Sequence, residues 1–217
     1  MHLRYQDPKG SSTSTTKVIP VVLRVQKRGV RVLGIAESFR MTAPESILAG
    51  VVMRRDLRVD GFGFSRISVG GDDATEGILD IYRGLERADI NALLLNGSVI
   101  SWFNIVDLDR LREETSLPVV SLTYQESEGL EGCIRERFAH PDEKIDIYRR
   151  LGPREAVRLK TGFLVYVRSL GATAEETRGL LNSFTLEGRV PEPLRVARLL
   201  ARSMMRGQMV GADPPEG

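Results

Sequence analysis

The order of the apolar segments is the feature that most restricts the fold of this chain. A short run rich in β-branched residues, VRVLGI at 30–35, predicts a first strand. The segments SILAGVVMRR (46–55) and RVDGFGFSRISV (58–69) are separated by only two residues, which predicts an antiparallel hairpin. Gly61 and Gly63 in its second arm indicate a bulge or a close approach of the backbone.

Helices and buried strands alternate after the hairpin. The sequence GGDD (70–73) ends the third strand, and Ile78, Ile81, Tyr82 and Leu85 then recur at helical spacing. The following segments predict a buried strand at 90–96, a helix at 103–115 with Ile105, Leu108 and Leu111 on one face, a buried strand at 117–124, helices over about 129–150 and a strand near the end of 157–170. A strand, helix and strand in this order predict a right-handed parallel crossover. We therefore expect an α/β fold with a mixed sheet flanked by helices.

Two helices complete the chain. Thr173 and Glu176 form a capping-box pattern, which predicts the start of the first. The second is LRVARLLARSMMRG, entered through Pro191 and Pro193, and Gly207 is its expected end.

Composition restricts the class of protein. The chain has 217 residues with 41% hydrophobic and 28% charged side chains, which is ordinary for a soluble globular protein. No apolar run approaches the roughly 20 residues of a membrane helix, and the first residues lack a secretory signal. We expect a cytoplasmic protein with no membrane partner, a single domain over 17–207, and flexible polar tails at 1–16 and 208–217.

The chain contains few cysteine and histidine residues. Cys133 is the single cysteine, so an intramolecular disulfide and a cysteine-cluster metal site are excluded. We expect it to be a half-buried small hydrophobic residue. His2 and His140 are the only histidines, which argues against a zinc site or a histidine-based triad.

Polar residues follow three of the predicted strands. They occur in Ala36-Glu37-Ser38, in Gly70-Gly71-Asp72-Asp73 and in Asn96-Gly97-Ser98. In open α/β sheets, ligands bind in the crevice at strand ends. Divalent metals that hydrolyse phosphodiesters need clustered oxygen ligands. Glu37, Asp72 and Asp73 could bind magnesium or manganese, and Asn96 could add a neutral ligand.

Structural roles are the alternative for several of these residues. Asp73-x-x-Glu76 resembles a capping box, so helix capping could be the whole role of Asp72 and Asp73. Asp107 and Asp109 lie within a predicted helix and are typical of a solvated surface. The Gly70-Gly71 pair permits a positive φ, which by itself is a weak indication of phosphate binding.

Aromatic and basic side chains could contact nucleic acid. Trp102 and Phe103 either pack over the end of the sheet or stack on a displaced base. The terminal helix carries a stripe of arginines at intervals of three, four and four residues: Arg195, Arg198, Arg202 and Arg206. Such a stripe can follow phosphates, or it can be a solvated face paired with acidic residues. The opposite face should pack on the core: Val196, Ala197, Leu200, Ala201 and Met204.

Several motifs together resemble a known family. GIAESF, GVVMRRDLRVDGF, VGGDDAT, SWFNIVDL, LPVVSLTY and GRVPEPLRVARLLA occur in this order between about residues 30 and 207. They resemble the archaeal endonuclease dU family. The PEPLRVA segment also resembles the closing segment of endonuclease V, a magnesium-dependent repair nuclease with a ribonuclease H-like fold.

The resemblance implies a nuclease that nicks DNA near deaminated bases, deoxyuridine in particular. Glu37 or its neighbour Ala36 takes the place of the first-strand aspartate of endonuclease V, and Asn96 takes the place of its later aspartate. Asp73 is the best remaining carboxylate. Ala36 cannot bind a metal and Asn96 carries no charge, so this site is poorer in negative charge than the family pattern.

Two main hypotheses follow. The first is an endonuclease in which Glu37, Asp73 and Asn96 are catalytic and nucleic acid contacts Gly70, Gly71, Trp102, Arg195, Arg198 and Arg202. The second is a nucleic-acid-binding protein on the same fold that does not cleave. A protein-interaction module is a third, weaker alternative. DNA is the expected partner, RNA remains open, and the chain could be a monomer or a homodimer.

Overall fold

The computed structural model describes residues 29–210, with side chains to residue 207. The strands are β1 (Arg31–Ser38), β2 (Glu45–Arg54), β3 (Val59–Ser68), β4 (Ala92–Leu95), β5 (Val99–Ile100), β6 (Asn104–Ile105), β7 (Val119–Thr123), β8 (Glu155–Arg158) and β9 (Leu164–Leu170). The helices are α1 (Ala74–Gly84), α2 (Leu108–Thr115), α3 (Glu131–Arg137), α4 (Asp142–Arg150), α5 (Ala174–Phe184) and α6 (Glu192–Val210). None of the described helices is long and apolar enough to cross a membrane.

Seven strands form one mixed sheet in the order β3-β2-β1-β4-β7-β9-β8. The three central strands β1, β4 and β7 are parallel, and the strands on either side of them are antiparallel to their neighbours. This confirms the predicted mixed sheet, its antiparallel hairpin and its parallel crossover. The carboxyl ends of β1, β4 and β7 consequently lie at one edge of the sheet.

Both glycines of β3 behave as predicted. The register shifts between Val52 and Met53, which pair with Gly61 and Val59, so β3 has a bulge next to Gly61. A Cβ on Gly63 would lie 2.8 Å from a side-chain carbon of Ile81 in α1, so Gly63 permits close packing of that helix.

The helix predicted at 103–115 starts later than expected. Ser101, Trp102 and Phe103 have positive φ angles of 42°, 60° and 64°, which a continuing right-handed helix cannot contain. The chain then forms β6, so Ile105 packs away from α2. The helix α2 begins after Asp107, whose side chain accepts a hydrogen bond from the backbone N–H of Arg110 at 3.0 Å. Asp107 is therefore an N-cap and not a residue within the helix.

Three smaller predictions are also wrong. The helix α6 continues through Gly207 to Val210, because Gly207 does not adopt the left-handed conformation that ends a helix. Met205, which is buried, takes the core position expected for the exposed Met204. Cys133 is exposed on α3. The predicted tail at 1–16 and residues 17–28 and 211–217 lie outside the described residues.

Each face of the sheet carries its own apolar core. Helices α1 and α2 cover one face, and α5 and α6 cover the other. The start of α6 lies against β1 at very short range: a Cβ on Gly34 would lie 2.6 Å from Cβ of Pro193 and 2.8 Å from its carbonyl carbon. Only glycine at position 34 permits this approach.

The Gly34 contact gives a stability prediction. Gly34→Ala should lower the free energy of unfolding by about 1–3 kcal/mol, because the methyl group would displace the Pro193 backbone. Gly132→Ala in α3, where a Cβ would meet nothing within 4 Å, is the matched control and should be neutral or stabilising by about 1 kcal/mol. Urea unfolding measures both variants, and an unchanged midpoint for Gly34→Ala would contradict the contact.

Candidate functional site

The carboxyl ends of β1 and β4 bring two of the predicted residues together. Glu37 is the penultimate residue of β1, and Asn96 directly follows β4. The backbone N–H of Asn96 donates to the carbonyl of Ile35 at 2.9 Å. Both side chains line a narrow crevice whose floor includes Gly97 and Ile100. The sequence predicted that Glu37, Asp72, Asp73 and Asn96 would cluster at strand ends, and of these the crevice brings together Glu37 and Asn96.

Glu37 is partly buried at the end of β1, and positive charges act on its carboxyl. Burial raises the pKa of its carboxyl, although hydrogen bonds from its own backbone N–H and that of Ser101, and the charges of Arg198 and Arg202, act in the opposite direction. Burial is the largest of these effects, and the pKa remains above its ordinary value. Glu37 is thus a carboxyl group whose ionised form would be stabilised by an added cation.

Asn96 is oriented by a residue that the sequence did not single out. The hydroxyl of Tyr124, directly after β7, donates to the amide oxygen of Asn96 at 3.0 Å. Burial raises the pKa of Tyr124 to about 12, so the phenol is a neutral donor at pH 7. Arg189 lies over its ring at 5.7 Å and donates to its carbonyl at 2.8 Å. These contacts fix the amide plane of Asn96 at the crevice.

Asp73 is held by hydrogen bonds within its own loop. Its carboxylate accepts from the backbone N–H of Ser68 at 3.0 Å, from the Ser68 hydroxyl at 2.9 Å and from the amide of Asn104 at 2.7 Å. Although burial acts in the opposite direction, these bonds keep its pKa below the ordinary value. Asp73 occupies the N-cap position of α1 without a side-chain capping bond, so the predicted capping box is wrong.

Asn104 supplies the missing cap. Its side-chain oxygen accepts from the backbone N–H of Ala74 at 2.9 Å, while its amide nitrogen donates to Asp73 and to the carbonyl of Ser68. The residue is fully buried. The sequence analysis did not identify Asn104 as a functional residue because it lies within the helix predicted at 103–115. An asparagine in a helix does not by itself indicate a distant partner.

Asp72 is exposed and forms an ion pair with Lys144 of α4. The ammonium group of Lys144 is nearly buried and also donates to the carbonyls of Gly71 at 2.8 Å and Phe103 at 3.2 Å. It lies 5.1 Å from the centroid of the Phe138 ring. Lys144 therefore ties the loop at 70–73 to the turn at 101–103, a long-range role that no local pattern indicates.

The backbone N–H groups of Gly70 and Gly71 donate hydrogen bonds to carbonyl groups of the protein. The N–H of Gly70 donates to the carbonyl of Ser101 at 2.7 Å, and that of Gly71 donates to the carbonyl of Ser68 at 3.2 Å. Gly70 has a φ of 72°, and a Cβ there would lie 2.7 Å from the Trp102 ring. Glycine at position 70 thus permits the close approach of Trp102. That Gly70 and Gly71 contact nucleic acid stays a prediction.

Trp102 and Phe103 form an aromatic cluster with Phe138. The ring centroids lie 5.6–5.9 Å apart. Such edge and tilted contacts stabilise packing beyond the area they bury. Both residues are half-buried. The contacts favour the packing alternative, and stacking of Trp102 on a base stays a prediction.

The arginines of the stripe on α6 have different surroundings. Arg195 pairs with Glu192, which is buried at the start of α6. Arg198 and Arg202 lie close enough to Glu37 to lower its pKa, and Arg198 also acts on Tyr124. Among the described ion pairs none includes Arg198, Arg202 or Arg206. The charges of the two central arginines therefore act on Glu37 from helix α6, although neither arginine lines the crevice.

A divalent metal fits this edge of the sheet only if water and substrate phosphates supply most of its ligands. Within residues 29–210, no three His, Cys, Asp or Glu side chains are grouped to hold a metal ion, so Glu37, Asp72 and Asp73 do not form a preassembled cage. Magnesium, however, is commonly bound by one or two carboxylates, several waters and substrate phosphates. Glu37, with the amide of Asn96 beside it, suits that mode.

Comparisons with known proteins agree with this geometry. The sequence profile of the Endonuclease dU family matches residues 28–205. This chain belongs to that family. A UPF0215 protein of Pyrobaculum aerophilum is 33% identical over 170 residues, covering 78% of this chain and 91% of the relative. Membership in the Endonuclease dU family supports assignment as a nuclease.

Solved structures confirm the fold. A protein of unknown function from Archaeoglobus fulgidus has a TM-score of 0.69 at 27% identity, covering 81% of this chain and 98% of that one. Human ENDOV has a TM-score of 0.60 at 19% identity, covering 83% and 86%. Endonuclease V of Ciona intestinalis, bound to DNA that contains an inosine, has a TM-score of 0.56 at 13% identity, covering 83% and 87%. The predicted endonuclease V-like, ribonuclease H-like α/β fold is therefore confirmed.

The raised pKa of Glu37 predicts a pH dependence of stability. A carboxyl whose pKa is higher in the folded state stabilises the fold below its unfolded pKa of about 4.3, and this contribution is lost as pH rises through the folded value. Glu37→Gln should therefore gain stability relative to wild type between pH 4 and pH 8. Urea unfolding in the presence of a chelator measures the difference, with exposed Glu113→Gln as the matched control. A difference that stays constant with pH would contradict the burial of Glu37.

Proposed function

We propose that the protein is a metal-dependent endonuclease that cleaves DNA at deaminated bases such as deoxyuridine. One observation carries the proposal: Glu37 and Asn96 meet in a crevice at the carboxyl edge of the parallel strands, where the positive charges of Arg198 and Arg202 act on the Glu37 carboxyl. A carboxylate next to cations suits a phosphodiester and the metal that accompanies it.

The residues of the crevice have distinct roles in this proposal. Arg198 and Arg202 attract the phosphate to the sheet edge and offset its charge next to the Glu37 carboxylate. Glu37 accepts hydrogen bonds from its backbone neighbours, which hold the carboxyl in place. The hydroxyl of Tyr124 holds the oxygen of Asn96, so the amide N–H groups of Asn96 are oriented to donate to a phosphate oxygen or to water.

The carboxylate of Glu37 and the amide oxygen of Asn96 are the groups that would hold magnesium or manganese. When bound, the metal activates water and stabilises the leaving oxygen. Asp73 belongs to the proposed set because it follows β3, which ends at the same edge of the sheet two strands from β1, although its hydrogen bonds hold it to Ser68 and Asn104. Its most direct effect on cleavage is to fix the loop at 70–73.

Two findings support a deaminated base as the target. The family carries the name of an endonuclease for deoxyuridine, which is the product of cytosine deamination. The endonuclease V of Ciona intestinalis was solved with DNA containing inosine, the product of adenine deamination. DNA is thus the proposed substrate, in a protein that acts in repair.

A nucleic-acid-binding protein without cleavage is the second candidate. The observation that favours it is the small number of acidic side chains at the crevice, since position 36 is alanine and position 96 is asparagine. Positive charge from Arg198 and Arg202 would still bind a phosphate backbone. Such binding should weaken as the salt concentration rises.

Cleavage of a duplex with one deoxyuridine tests the first candidate. Wild type should nick this DNA with magnesium or manganese and should lose activity in a chelator. Glu37→Gln should abolish nicking, because it removes the carboxylate at the crevice. Asp73→Asn should reduce nicking by at least about tenfold, because it loosens the loop. Exposed Glu113→Gln and Asp109→Asn are matched controls and should retain full activity.

The outcomes separate the two candidates. Cleavage that survives Glu37→Gln would place the chemistry elsewhere or indicate a contaminating nuclease. No cleavage by wild type, together with salt-dependent DNA binding, would establish the binding protein. Neither cleavage nor salt-dependent binding would contradict both candidates and favour a protein-interaction module.

A further inference from the structure

A second cavity lies on the other side of the β7 strand end. Its volume is about 600 Å³, within the range of small-molecule sites. Its walls come from the loop at 126–131, the end of α4, the chain at 152–156 and strand β9. None of the residues predicted from the sequence lies in it. Two arginines and two tyrosines give it its character: Arg154, Arg168, Tyr148 and Tyr166.

Among the described residues, neither arginine forms an ion pair with a carboxylate. Arg154 donates to the hydroxyl of Thr123 at 2.9 Å and to the carbonyls of Gln125 at 3.1 Å and Ser127 at 2.9 Å. Within residues 29–210, the ion pairs closer than 4.0 Å do not include Arg154 or Arg168. The hydrogen bonds of Arg154 and Arg168 therefore go to neutral acceptors, although three glutamates line the same pocket.

Arg168 is partly buried at the pocket. It donates to the carbonyl of Gly152 at 2.9 Å and to the hydroxyl of Ser98 at 3.1 Å. Burial lowers its pKa, and the charge of Arg154 acts in the same direction, while Tyr148 opposes them. A partly buried cation without a counter-ion is unfavourable until an anion neutralises it. The pocket is thus prepared for an anion.

The tyrosines add flat apolar surface beside the two charges. Arg154 lies 5.5 Å from the centroid of the Tyr166 ring, and Arg168 lies 5.9 Å from that of Tyr148. Aromatic and guanidinium planes are surfaces on which a nucleobase stacks. An anion joined to a planar aromatic group matches both features, and a nucleotide unit has this composition.

Acidic residues that line the pocket favour ligands of low negative charge. Glu126 and Glu128 are exposed there, and Glu131 pairs with Arg149. Acidic side chains at the rim disfavour the two charges of a terminal phosphate more than the single charge of a phosphodiester. The ligand is therefore better matched by a nucleotide within a strand than by a free nucleotide.

Hydrogen bonds connect the pocket to chain segments next to the Glu37 crevice. Arg168 bonds Ser98, two residues after Asn96, and Arg154 bonds Thr123, directly before Tyr124. Neighbouring strands lie about 4.8 Å apart, so β1 and β9 are separated by three spacings, or about 14 Å. A polynucleotide strand that crosses Glu37 can reach the pocket within a few nucleotides.

We propose that this cavity is a subsite for a phosphodiester and its stacked base in the strand that continues beyond the Glu37 crevice. The proposal rests on the proposed function for its substrate class. Arg168 and Arg154 bind the phosphate, and Tyr148 and Tyr166 line the position of the base. The subsite holds the strand and does not take part in cleavage.

Binding of a single-stranded oligonucleotide, measured at several salt concentrations in a chelator, tests the subsite without cleavage. Arg168→Gln keeps a donor near the position of Nε, which bonds Gly152, but removes the charge and the donor to Ser98. Its affinity should fall by about tenfold or more, and the slope of log affinity against log salt should decrease by about 0.7. Arg149→Gln is the matched control, because that arginine lines the same pocket but is already paired with Glu131. It should change the affinity by less than about threefold.

Hydrogen exchange of wild type with the oligonucleotide provides a readout that needs no variant. Backbone amides at 126–131 and 152–156 should gain protection. An affinity and salt slope of Arg168→Gln equal to those of wild type, or a lack of protection in both segments, would overturn the subsite. Nicking that persists in that case would leave the Glu37 site intact. Conversely, the protein could bind the oligonucleotide in a manner that depends on Arg168 and yet fail to cleave DNA. That result would support the subsite and contradict the proposed nuclease activity.

Discussion

The contact between Pro193 and the backbone of Gly34 is the constraint on which the site depends. It brings the start of α6 against the middle of β1, where any side chain at position 34 would collide with it. From that point β1 rises about 10 Å to Glu37, and α6 rises about 7.5 Å to Arg198. A helix and a strand that diverge from one fixed contact thus place a carboxyl and two guanidinium groups at the same edge. The chemistry of the crevice follows from this packing.

Polar side chains hold the neighbouring loops in place. Asn104 caps α1 and binds Asp73, while Lys144 connects Asp72 and Gly71 to the turn at Phe103. A buried polar group of this kind is costly to leave without a partner, so the two loops are locked to each other. The aspartates that look most like metal ligands in the sequence are therefore also the anchors of this network. Glu37 also accepts a hydrogen bond from the backbone N–H of Ser101, but its position beside Asn96 at the crevice makes it the strongest candidate for chemistry.

The sequence predicted those features that depend on local pattern. Apolar periodicity located the strands of the hairpin and the parallel crossover, and strand ends then placed Glu37 next to Asn96. It failed where a distant contact decides the local structure. The left-handed turn at 101–103 is supported by Gly70 against Trp102 and by Lys144, which lies more than 40 residues away. Tyr124 likewise meets Asn96 only when β4 and β7 pair, and Arg154 and Arg168 meet their partners only when β8 and β9 join the sheet, so no spacing in the chain indicates them.

The central claim is that Glu37 is an enclosed carboxyl group able to receive a divalent cation. Carbon-13 NMR of the side-chain carboxyls, with the Glu37 resonance assigned through Glu37→Gln, measures its titration directly. The account predicts a pKa above the ordinary value in a chelator and a marked decrease when magnesium is added. An ordinary pKa that magnesium leaves unchanged would contradict both the environment of Glu37 and its role in the proposed nuclease.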